Sequence, residues 1–258
     1  MSDACNRTPF WQRQPLLPAA VQDVLRDRLE AALADPAARE ALVWPIILGA
    51  PTLRSEYPEG LPEDRLLAHG ARLLAALGCS DPAAAWQRDR ATRPDTALAG
   101  PGGWLPGAAW GPWGPLVSLR SGWTLAALTP LAPGENYPLA CGVSLFNHGL
   151  FHECHDALEP LWGAAAGPLR EGLQGLILMA GGYHHLQQHN RSGLLALWEE
   201  TRVRLEACGG IVATPWGQVR ADAALGLTLR RLDEGRRMTD DSDLALLWAL
   251  DRPTWELA

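Results

Sequence analysis

The chain contains no lysine; all 22 of its basic residues are arginine. Without an ε-amine it cannot form a Schiff base with a carbonyl substrate, anchor pyridoxal phosphate covalently or build a Walker-type phosphate loop. The abundance of Ala, Arg, Gly and Pro beside this absence is what GC-rich coding produces. Cysteine is sparse: the five cysteines (Cys5, Cys79, Cys141, Cys154, Cys208) are an odd number and include no Cys-x-x-Cys pair. That argues against a structural zinc knuckle and suits a reducing compartment. No run of 18 apolar residues exists, and the first residues lack the apolar core of a signal peptide. The expectation is a soluble, cytoplasmic protein. The formal charge of -7 weighs against nucleic acid and anionic membranes as partners, leaving an unidentified protein or a second copy of the chain.

What is present is globular. With 258 residues, 47% hydrophobic and 20% charged, the chain can bury one large core or two small ones. Residues 1–17 read as a loose polar arm. Leu17 to Leu33 has helical spacing, with Val21, Val24, Leu25, Leu29 and Leu33 near one face. Asp35 and Pro36 start a short helix that Pro45 should stop, and 51–61 reads as loop. Pro62 to Leu77 and Pro82 to about Arg90 read as helices, the second capped by Asp81. Residues 93–140 differ, with Trp104, Trp110, Trp113 and Trp123 set among Gly and Pro. The short alternation at 116–119 and 123–128 around Arg120, Ser121 and Gly122 suggests a small hairpin. This tryptophan-rich stretch either lines a ligand groove or packs as a flap over helices.

From Cys141 onward the pattern is helical, at about 144–163, 168–189, 192–207, 217–234 and 241–250. Connections this short favour antiparallel neighbours. The expected fold is all-α: a bundle of about five helices over 141–258, preceded by a helical, loop-rich region over 1–140.

Six of the seven histidines fall between positions 148 and 189. On a helix turning 100° per residue, His148, His152, His155, Glu159 and Trp162 lie within about 80°, while Glu153 and Asp156 project elsewhere. One stripe places only two or three groups around an ion, so further ligands have to come from the next helix. There His185 and His189 stand at i, i+4, a spacing used by helical metal sites. His155, Glu159 and His185, supplemented by His152 and His189, are the candidate ligands for a divalent cation such as zinc, iron or manganese. Glu153, His155 and Glu159 are the candidates for general acid–base work, since a carboxylate at i+4 can hold an imidazole's tautomer. The competing reading is that these groups form a buried polar network that specifies packing.

The same residues resemble a known pattern, that of the bacterial and archaeal domain-of-unknown-function family 309. Phe146, Asn147, Gly149, Phe151, Glu153, His155, Leu158, Glu159 and Trp162 match its first block. Leu173, Gly175, Leu176, Ile177, Ala180, His185, Asn190 and Gly193 match its second. The resemblance covers roughly 144–235. Leu150 and Leu178 stand where the family tends to carry Glu and Gln, Asp156 replaces a Glu, and Pro160 falls inside the helix. His148, His152 and His189 are outside the pattern. The resemblance implies a small all-helical bundle and no established reaction. Two functions are therefore carried forward: a non-enzymatic interaction or scaffolding protein with a His/Glu network, and a divalent-metal-binding, hydrolase-like protein.

Overall fold

The computed structural model describes residues 11–258 apart from 12, 16, 17 and 109. Of the expected loose arm, only Trp11 and residues 13–15 are described, and Cys5 lies outside the described residues. The protein is mostly helical with small β elements, and its described residues divide into two compact units: residues 18–130, and residues 131–258 with Trp11 and residues 13–15.

In the first unit, α1 (Ala19–Ala34) buries Val21, Leu25, Leu29 and Ala32, a stripe at helical spacing. Asp35 accepts from the Ala37 N–H at 2.8 Å and caps a 3-10 turn over Pro36–Leu42. Pro45 does not stop the chain. It is the third residue of α2 (Val43–Gly49), where a backbone N–H would have no intrahelical acceptor and its loss costs nothing. The expected loop at 51–61 contains α3 (Pro51–Glu56), begun by a proline at its first position. The segments α4 (Glu63–Ala75) and α5 (Pro82–Thr92) follow as the periodicity predicts, with Asp81 accepting from the Ala84 N–H at 2.9 Å.

The hairpin forms at a different place from the one the alternation suggests. Strands β1 (Ala97–Gly100) and β2 (Gly103–Pro106) pair antiparallel, whereas the alternating stretch lies inside α6 (Gly114–Leu128). Six residues of alternation cannot separate a period of 2 from one of 3.6, and the buried set Val117, Ser121, Leu125 and Leu128 is helical. Helix α6 packs on α2 so closely that a Cβ on Gly49 would stand 2.2 Å from the Gly114 carbonyl oxygen. The tryptophans of this unit pack: Trp44, Trp86 and Trp110 are fully buried, and Trp104 meets Trp86 edge-on at 5.5 Å under the Arg90 guanidinium.

The second unit contains α7 (Tyr137–Asn147), α8 (Phe151–Ala164), α9 (Gly167–Gln187) and α10 (Arg191–Glu206). Beyond them lie β3 (Ile211–Thr214), β4 (Gly217–Arg220), α11 (Asp222–Arg237), a 3-10 segment over Asp241–Ala249 and β5 (Glu256–Leu257). Strands β3, β4 and β5 make an antiparallel sheet, so the helix expected from 217 begins only at 222. The helix expected over 144–163 is two helices. Leu150 N–H donates to the Leu145 carbonyl at 3.0 Å and Gly149 N–H to that of Phe146 at 2.9 Å, with Gly149 at φ 73°. This is a Schellman ending, which glycine permits because it has no Cβ. Pro160 is accommodated within α8, which runs on to Ala164.

Successive helices pack pairwise, α7 on α8, α8 on α9, α9 on α10 and α10 on α11. Their core is aromatic: Phe146 stacks on Trp255 at 3.8 Å, Phe151 on Tyr183 at 5.1 Å, and Tyr183 leans on Trp198 at 4.9 Å. Gly182 receives Trp198, since a Cβ there would fall 2.1 Å from the indole nitrogen. Among the described residues, no helix is long and apolar enough to cross a membrane.

Candidate functional site

The site is built on α8 and the facing end of α9. Phe151 is buried in the first turn of α8, and His152, His155, Asp156 and Glu159 are grouped within about 100° of the same helix. Their side chains range from Asp156 at 9% exposed through His152 at 21% to His155 at 38%, with Glu159 exposed. His155 Nδ1 lies 3.2 Å from Asp156 Oδ1, and His152 Nδ1 lies 3.8 Å from the same oxygen. Potential ligand atoms of His155, Asp156 and Glu159 are all within 4.8 Å of one another.

Asp156 is therefore a member of the group; on the wheel it stands only about 40° from His152. Its carboxylate is one helical turn from His152, the i, i+4 relation that brings side chains together, and it reaches sideways to His155. His148 is absent from this face. It follows the last residue of α7, on the other side of the Gly149 turn, with Nδ1 2.7 Å from the Ser144 carbonyl oxygen. The stripe read from 148 to 162 is thus broken at its first member.

Opposite stand His184 and His185. With Phe151, His152, His155, Gly181 and Leu197 they line a cleft of about 200 Å³. The His184 ring stacks on His152 with centroids 5.0 Å apart. His185 is held from behind. Asn190 caps α10, its Oδ1 accepting from Gly193 N–H at 2.9 Å and from the Ser192 hydroxyl at 3.0 Å. This orients the amide so that its Nδ2 donates to His185 Nδ1, 3.1 Å away. A neutral ring that accepts at Nδ1 carries its proton on Nε2. His185 presents an N–H outside this latch, not a lone pair. Gly193 completes the arrangement, because a Cβ there would lie 2.7 Å from the His185 ring.

The proposed i, i+4 partnership of His185 with His189 does not form. Helix α9 ends at Gln187, and His189 occupies the left-handed position after it, at φ 53°. Asn190 N–H donates to the His185 carbonyl at 2.9 Å and His189 N–H to that of Leu186 at 3.0 Å, a second Schellman ending. Glu153 is withdrawn into the interior, 3% exposed. Trp162 caps the far end of α8 together with Arg170, whose guanidinium lies 3.9 Å over the indole and donates to the Trp162 carbonyl at 3.0 Å.

Electrostatics separate the two family-pattern histidines. Hydrogen bonding to Asp156 raises the His155 pKa above its usual value, against the opposing effect of burial and with help from the charges of Asp156 and Glu159. Burial lowers that of His185. Burial, followed by the charges of Asp156 and Glu153, pushes the Cys154 thiol well up, which makes it an inert core group and no nucleophile.

Fold and site together describe a helical protein whose best-furnished surface is a histidine–carboxylate face beside a small cleft. Residues 139–197, from α7 into α10, match the family model of Domain of unknown function (DUF309). That match ends within α10, short of the position 235 to which the resemblance was traced. No curated protein and no solved structure matches the chain.

Reading the sequence alone missed Asp156 and His184. The i, i+4 spacing of His152 and Asp156 was a signal for the first, since it outweighs the angular offset between Asp156 and His155. His184 had no comparable signal, because which face of α9 meets α8 depends on tertiary packing.

Proposed function

We propose that the helical segment matched by the family acts as a non-enzymatic interaction module, in which a polar network at the helix crossings specifies how α7 to α10 pack. The observation that carries this reading is the latch at the α9–α10 corner. His185, Asn190 and Gly193 are all positions of the family pattern, and each serves the corner: one ring, one amide that caps and orients it, one glycine that leaves room. Asn147 supports it from a second place. Its side chain accepts from Trp255 N–H at 2.8 Å and donates to the Trp255 carbonyl at 2.9 Å, joining the α7 end to the chain's last strand region. A buried polar group with partners on both sides favours one arrangement of helices over near alternatives. Its partner would be another protein or a second copy; the formal charge of -7 disfavours nucleic acid. The described cysteines are free, which suits a cytoplasmic location.

A hydrolytic role for Glu153, His155, Glu159 and His185 draws less support. The cleft, about 200 Å³, is below the usual range of roughly 300–1,000 Å³ for small-molecule sites. His185 is held by Asn190 and Glu153 is buried.

The test is thermal and urea denaturation in chelator-containing buffer. His185→Ala and Asn190→Ala should each lower stability by about 1–2 kcal/mol, and the double variant by less than the sum, because they share one interaction. Wild-type stability in both single variants overturns the network reading.

A further inference from the structure

We propose that the outer face of α8 is a binding site for one divalent transition-metal ion, with His155, Asp156 and Glu159 as ligands and His152 as the fourth donor. This goes beyond the packing role assigned to the α9–α10 corner and replaces the ligand set expected from sequence, in which His185 took a place.

Three features carry it. First, ligand atoms of His155, Asp156 and Glu159 already lie within 4.8 Å of one another. Ligands about 2.0–2.2 Å from a tetrahedral ion are about 3.3–3.6 Å apart, so the group has only about an ångström to close. The exposed Glu159 side chain can supply that movement. Second, the four residues form two interleaved i, i+4 pairs, His152 with Asp156 and His155 with Glu159, on a single helix. They share one rigid backbone, so ordering them around an ion costs little beyond side-chain rotation. His152 Nδ1, 3.8 Å from the Asp156 oxygen, stands at the edge of the group. Third, the donor chemistry selects the ion. Two imidazoles and two carboxylates suit zinc, manganese or ferrous iron, and two carboxylates balance a 2+ charge. Ions that prefer sulfur ligands find no accessible thiol here, because Cys154 is fully buried.

His185 is excluded by its tautomer. Asn190 donates to its Nδ1, so the free nitrogen carries a proton and offers no lone pair to a cation. The cleft then lies beside the ion, with the His152–His184 stack as its near wall.

The experiment is calorimetric titration of the chelator-stripped full chain with Zn²⁺ and Mn²⁺ at pH 7.5. The expected result is saturable one-to-one binding. Affinity should fall at least tenfold in His155→Gln, Asp156→Asn and Glu159→Gln, and change less than twofold in His185→Gln. Because Glu159 is exposed, its variant keeps the fold, which circular dichroism verifies, and loss of binding there cannot be blamed on unfolding. Absence of saturable binding, wild-type affinity in the Asp156 and Glu159 variants, or loss of binding in His185→Gln each overturns the site. None of these outcomes bears on the corner latch, which is measured without metal.

Discussion

Single residues at this site are tuned in opposite directions, and the two histidines shared with the family pattern show it most clearly. His155 gains a proton more readily in the folded protein because Asp156 accepts from it. A base whose folded pKa lies above its unfolded value of 6.5 stabilises the fold fully below that pH. Its contribution is lost as pH rises from 6.5 through the raised value. His185 is depressed by burial, so its contribution is present above 6.5 and is lost as pH falls through its lowered value. Metal-free protein followed by NMR should therefore show the His155 imidazole titrating above the ordinary histidine value and that of His185 below it. Asp156→Asn should return the first toward normal and leave the second where it was. If both move together, the two rings are not the separate systems described here.

At the scale of elements, helix endings decide which residues face one another. The amphipathic stripes of α1 and α4, the Asp81 cap of α5 and the bounds of α10 were legible because each depends on neighbours along the chain. What sequence could not reveal was where a helix would stop when its polar pattern continues. The stripe from His148 to Trp162 fits one helix on angles alone, yet Gly149 takes a left-handed φ and Leu145 and Leu150 are both buried against the turn. The hydrophobic closure of that corner wins over continuity of the stripe. His189 went unrecognised for the same reason. Its position after α9 calls for a left-handed residue, which costs a side chain with a Cβ roughly 1 kcal/mol relative to glycine. His189→Asn, which keeps a polar side chain tolerant of the left-handed region, should accordingly stay within about 1 kcal/mol of the wild-type stability in urea melts, without changing metal affinity. A marked destabilisation would show that the ring itself matters.

At the scale of the molecule, the chain has two separate sets of buried aromatics. One is centred on Trp44, Trp86 and Trp110, the other on Phe146, Tyr183, Trp198 and Trp255. Length left one large core or two small ones open and periodicity predicted the mostly helical character, while the hairpins at 97–106 and 211–220 were hidden in stretches too short for periodicity to speak. Two cores predict two cooperative transitions. Guanidinium unfolding followed by tryptophan fluorescence and by far-ultraviolet circular dichroism should give curves that do not coincide. Leu66→Ala, in the first core, should move one transition by about 2–4 kcal/mol and Asn147→Ala the other. A single transition shifted by both variants would contradict that separation.

Asn147 also bears on the order of events during synthesis. The amide that holds Trp255 belongs to the same Phe-Asn pair that leads into the α8 site, yet its partner lies 108 positions further along the chain. Contacts so distant in sequence form late, because closing the intervening loop is slow and entropically costly. A nascent chain can complete the tryptophan core of residues 18–130 while the Phe146 ring still waits for its stacking partner. The histidine face of α8 would then be set in final register only when residues 252–255 have left the ribosome, so a ribosome stalled before that point carries a half-finished site.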